Sequence, residues 1–169
     1  MPLKTFFEFL VIRFPSTDPL PRTEILTMLA GYDWTFSSGG TLRYFAAKTA
    51  PTDINTLAWV EEIGNFEALL KKLQKDENDI PLIGLATSFG NSNVGGHILL
   101  WSAEEAKKRN ILSPVIFMPT EPFKKKSVGQ NCEITDVDWY FDTLIPALCR
   151  KEHQTSVEAF AYKEFKTSL

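Results

Sequence analysis

Asp136, Asp138 and Asp142 form the densest group of chemically capable side chains in the sequence. Paired carboxylates can hold a divalent ion or divide acid and base roles between them, and a helix beginning at this point puts Asp138 and Asp142 on one face. The plainer reading outweighs that one, because acidic residues in a first helical turn complement the helix dipole with no chemical duty. A second candidate, Gly90-Asn91-Ser92-Asn93-Val94-Gly95-Gly96-His97, shares the glycine spacing of a phosphate-binding loop. It fails at the two positions that matter, since Gly96 and His97 stand where a lysine must reach the phosphates and a hydroxyl must meet magnesium. It reads better as a hairpin connector that uses glycine for positive φ. Cys149 and His153, at i,i+4, could make a thiolate–imidazole pair, although a lone cysteine is more often packing material. The two histidines, His97 and His153, are far apart, and neither Cys-x-x-Cys nor His-Glu-x-x-His occurs, which argues against zinc. There is no Gly-x-Ser-x-Gly elbow for a hydrolase nucleophile. The residues therefore suggest neither an enzyme nor a cofactor.

The elements that carry these residues follow from periodicity and punctuation. Phe6 to Phe14 reads as a first strand ended by Pro15, and Ile25, Leu26 and Leu29 have helical spacing that Gly31 can stop. Leu42 to Ala47 is a second strand, and the type of Leu57 to Ile63 stays open. Asn65 caps a helix from Phe66 to Gln74 in which Phe66, Leu69, Leu70 and Leu73 make one apolar stripe. Ile80 to Phe89 and His97 to Trp101 form a hairpin expected at the centre of a sheet. Ser102-Ala103-Glu104-Glu105 is a capping-box pattern opening a short exposed helix. Ile111 to Met118 is a strand whose Pro114 suggests a sheet edge or the first residue of a strand. Residues 119–133 read as a polar connector that includes a solvated Lys124-Lys125-Lys126. Thr135 or Asp136 caps a helix through Leu148, with Pro146 near its end. Val157 to Phe165 fits a strand or a helix, with strand preferred. These elements predict an α+β fold, a mainly antiparallel mixed sheet with a few packed helices in a single-layer sandwich, and a single domain over residues 1–169.

Composition sets the outer limits. At 44% hydrophobic and 23% charged, with 13 Phe among 169 residues, the chain has the usage of an ordinary folded domain. Eighteen Lys and Arg against 21 Asp and Glu leave a net charge of −3, too little positive field to favour nucleic acid. Two cysteines, Cys132 and Cys149, do not make a disulfide framework, so reduced thiols in a cytoplasmic setting are expected. Glu8 and Arg13 interrupt the apolar start before it can read as a signal peptide, and no run approaches a membrane span. Among the four tryptophans, Trp34 sits in loop-like surroundings and is a candidate interface anchor. Glu61 and Glu62, together with Asp136, Asp138 and Asp142, could make an acidic surface for a basic partner.

Phe9-Leu10-Val11-Ile12-Arg13-Phe14-Pro15-Ser16 near one end and Ile134-Thr135-Asp136-Val137-Asp138-Trp139-Tyr140-Phe141 near the other resemble bacterial immunity proteins of polymorphic toxin systems, whether contact-dependent or delivered by type VI secretion. Leu29-Ala30-Gly31-Tyr32-Asp33, with Trp34 and Phe36, is loosely similar as well. The resemblance implies a cytoplasmic protein that binds the toxin domain of a cognate effector and blocks it one-to-one, without being an enzyme. Its partner is then a toxin protein, and the acidic balance suits a basic, nuclease-like domain. Two competing readings remain: a divalent-metal-dependent hydrolase built on the three aspartates, and a non-enzymatic adaptor or assembly subunit that uses a sheet edge.

Overall fold

The computed structural model describes residues 3–14, 20–38, 40–47, 60–77, 79–92, 94–111, 114–120, 124–128, 130, 133–149 and 157–167. Its centre is the expected hairpin, β6 (Leu82–Phe89) against β7 (Gly95–Trp101), paired from Leu82↔Trp101 to Ser88↔Gly95. Gly90 turns the chain with φ +59, which a side chain rarely adopts. Gly95 has a different reason: a Cβ there would lie 2.0 Å from the Thr87 carbonyl oxygen, so only glycine lets β7 begin this close to β6.

The sheet grows outward from this hairpin. On one side come β8 (Val115–Thr120), β1 (Leu3–Arg13) and β11 (Glu158–Thr167). On the other side comes β4 (Thr41–Ala47), with β5 (Val60–Ile63) beside it. The short β2 (Trp34–Thr35) and β3 (Ser37–Ser38) complete nine strands, and every described pairing is antiparallel. Val60–Ile63 is thus a strand, settling the described part of the segment whose type was open. The segment Val157–Phe165 also resolves as strand, from Glu158 onward. β8 lies inside the sheet between β1 and β7, so Pro114 marks where that strand begins and not an edge. The polar connector holds an unexpected two-stranded ribbon, β9 (Lys125–Ser127) with β10 (Glu133–Thr135).

Three helices cover one face. α1 (Arg22–Ala30), α2 (Phe66–Asp76) and α4 (Val137–Leu148) bury Ile25, Leu29, Leu69, Leu73, Tyr140 and Leu144 against Leu10, Ile12, Ile83, Leu85, Ile98 and Phe117 of the sheet. Each such side chain contributes about 1.5–3 kcal/mol on leaving water. The cap predictions hold: Asn65 accepts from the Ala68 amide, Asp136 from that of Trp139, and Ser102, opening α3 (Ala103–Lys108), from that of Glu105. A smaller cluster, Phe45, Leu82 and Leu99, is buried on the opposite face. Among the described residues no helix is long and apolar enough to cross a membrane.

Candidate binding surface

The three aspartates lie at the cap and along the first half of α4, and two of them have separate tasks. Asp136 is the helix cap, its carboxylate accepting from the Trp139 amide at 3.2 Å. Asp138, exposed in the first turn, accepts a hydrogen bond from Lys126 Nζ at 3.1 Å, and the same ammonium stands 4.0 Å from Asp136. Lys126 therefore leaves the solvated class assigned to residues 124–126, since the β9–β10 ribbon aims it at these carboxylates. Asp142 is exposed on the helix surface. Among the described residues no group of three His, Cys, Asp or Glu side chains could hold a metal ion.

Trp34 is 2% exposed, and its indole N–H donates to the Thr143 carbonyl at 3.0 Å. Its ring meets Phe89 and Phe117 edge-on, at 5.3 and 5.4 Å. It is a core residue and not a surface anchor, because the turn after α1 feeds it inward as the first residue of β2. Glu61 and Glu62 are both exposed but, as neighbours on β5, they point to opposite faces. Glu62 accepts from Tyr44 Oη at 2.6 Å, and Lys72 Nζ donates to that hydroxyl at 2.8 Å, which ties β5 to α2. Glu61 pairs across from Arg43 on the other face. The six residues singled out in the sequence therefore do not make one surface; only Asp136 and Asp138 share a partner.

A surface that went unnoticed in the sequence lies at the β1–β11 edge. On β11 the small residues Ala159 and Ala161 turn toward the helices and pack on the core, while Phe160 and Tyr162 turn outward, 44% and 52% exposed. Register sets Tyr162 beside Phe9 and Glu158 beside Arg13. The Phe9 and Tyr162 rings stack at 4.9 Å, and the Arg13 guanidinium lies 4.9 Å over Phe160 while ion-paired to Glu158. Strict alternation from Glu158 to Tyr162 was the available signal. What it could not say is which face meets the helices.

Of the remaining candidates, Gly95 and Gly96 belong to β7 and form no phosphate loop. His97, half-buried, has its pKa lowered from 6.5 by burial and then by the charge of Arg43. Cys149 is exposed at the end of α4, whereas His153, Cys132 and Trp59 lie outside the described residues. No family model, curated protein or solved structure matches this chain. What the described geometry offers is recognition chemistry, a row of ring faces with a guanidinium and a carboxylate at one end.

Proposed function

We propose that this protein is an immunity protein that binds a cognate toxin effector domain in the bacterial cytoplasm and neutralises it by occlusion. The observation that carries the reading is the inverted alternation of β11, where alanines fill the core side and a phenylalanine and a tyrosine face water. Burial alone favours the opposite arrangement, and exposed aromatic rows mark interaction sites. Tyrosine, phenylalanine and arginine are also the side chains that interfaces enrich. The two segments that resemble immunity proteins support the same reading, since β1 and β10 come into contact in the fold. The net charge of −3 suits a basic partner, with complementary charge speeding encounter and the aromatics holding the complex.

The test is co-expression. The toxin-like reading frame neighbouring this gene should arrest growth by itself and be tolerated in the presence of this protein, and the two chains should co-purify. Phe160→Ser with Tyr162→Ser should abolish both protection and co-purification while leaving the melting curve in place. A harmless neighbour, or full protection by the folded double variant, overturns the proposal.

A further inference from the structure

β11 is the last strand of its sheet. One of its edges pairs with β1 along the whole strand, and the other meets no strand among the described residues. An open edge invites a further strand unless it is short, covered, bulged or broken by proline. β11 runs for 10 residues and contains no proline. It also has no bulge of its own, because the shift in register falls between Phe7 and Phe9 of β1. Phe160 and Tyr162 stand perpendicular to the sheet, as strand side chains do, so their rings do not cover the edge.

The charges along the strand decide what fits this edge. A second copy brings the same strand antiparallel about a two-fold axis perpendicular to the sheet, so that every cross-strand pair occurs twice. Paired residues share a face, which requires the axis to pass through a residue and not between two. Centred on Ala161, the strands set Glu158 against Glu164; centred on Lys163 or on Glu164, they set that residue against itself. Among registers that keep most of the strand paired, only the one centred on Tyr162 brings no like charges together. It sets Glu158 of each copy against Lys166 of the other, at both ends of the pairing. Opposite charges directly across a ladder stabilise it and like charges destabilise it. Glu158 pairs with Arg13 on its β1 side, yet its side chain remains 45% exposed. Within one copy the register sets Lys4 across from Lys166, a like-charged pair that a carboxylate on the other side of Lys166 relieves.

We propose that two copies of this chain join through β11 in this register, giving one continuous antiparallel sheet across a two-fold dimer. Main-chain hydrogen bonds supply the attachment, as in strand addition generally, and the charges at the two ends fix the register. Lysines commonly keep strand edges apart; here they select one alignment. The axis leaves the helices of both copies on one face of the joined sheet and Phe160 and Tyr162 of both on the other. The aromatic surface therefore stays open, and two copies still offer two such surfaces. The dimer does not depend on the immunity reading, and either can hold without the other.

The test is sedimentation equilibrium of the full chain at rising concentration, with hydrogen exchange of the β11 amides alongside. A reversible monomer–dimer equilibrium is expected, weaker at high salt, with β11 protection growing as the dimer forms. Lys166→Glu and Glu158→Lys each place like charges at both ends and should weaken association at least about tenfold. The two changes combined should restore it. Circular dichroism checks that each variant keeps its fold. A parent that stays monomeric, association that continues past the dimer, or folded single variants that associate as the parent does overturn the proposal. Protection of β11 that appears only when a toxin is added also overturns it, and assigns the edge to a strand of that partner. Should a single variant fail to fold, a folded double variant that does not dimerise overturns it equally.

Discussion

A buried guanidinium costs several kcal/mol unless its donors are met, and Arg22, at 0% exposure, meets that cost through one residue. Its Nε donates to the Glu77 carboxylate at 3.1 Å and its Nη2 to the Glu77 carbonyl at 3.0 Å, while Nη1 meets no partner among the described residues. Glu77 also accepts from the Ala103 amide at 3.4 Å, so a single side chain at the end of α2 ties down the starts of α1 and α3. Glu77→Ala leaves the charge of Arg22 uncompensated and should cost about 3 kcal/mol, a drop of about 6–12 °C in Tm for a chain of this size. Urea melts should show most of that loss recovered when Arg22→Met is added, because the unpaired charge goes with it. His97 gives a pH dependence. Its folded pKa lies below 6.5, so the unfolded chain takes up the proton first as pH falls. Its contribution to stability is intact above pH 6.5 and is lost as pH drops from there through the folded value. His97→Gln should flatten the stability curve in that window. Arg43→Gln should raise the His97 pKa in an NMR titration by removing the second cause of its depression.

At the scale of elements, the positions that matter most are those where a backbone meets another. Gly95→Ala puts a methyl group into the Thr87 carbonyl and forces β6 and β7 apart at the start of β7. Overpacking of this kind costs about 1–3 kcal/mol, and chemical denaturation should read it. Local signals were enough to place most elements. The caps Asn65, Ser102 and Asp136, the stripe Phe66, Leu69, Leu70, Leu73, and the turn between β6 and β7 all act within a few residues, and each appears where the sequence puts it. Information carried by partners far away was not legible. Pro114 is compatible with an edge or with the first residue of a strand, and only the neighbours β1 and β7 decide. The β9–β10 ribbon has three residues a side, too few for a period to show, and its registration depends on the Lys124 carbonyl receiving the Asp136 amide at 2.8 Å.

Over the whole molecule, the decisive long-range event is the meeting of β1 with β11, whose paired residues Arg13 and Glu158 are 145 positions apart. That pairing creates the aromatic surface, because Phe160 and Tyr162 turn outward only once Ala159 and Ala161 have been packed on the core. It also explains why the candidate surface was missed while the aspartates were noticed: carboxylates announce themselves by residue type, but the exposure of an aromatic is a property of the assembled sheet. Deleting residues 158–169 strips β1 of a full strand of backbone partners and leaves its edge open, the arrangement that natural sheets guard against. That variant should be less stable in urea and should self-associate, measured by light scattering at increasing concentration. Phe160→Ser with Tyr162→Ser makes the opposite case. The strand keeps its ladder, only solvent-facing rings are lost, and the unfolding free energy from urea melts should stay within about 0.5 kcal/mol of the parent as surface changes do. If the double variant instead melts like the deletion, the rings are holding the edge in place and their exposure has a structural cause. If the fold is indifferent to them while the partner is lost, the outward row exists for recognition.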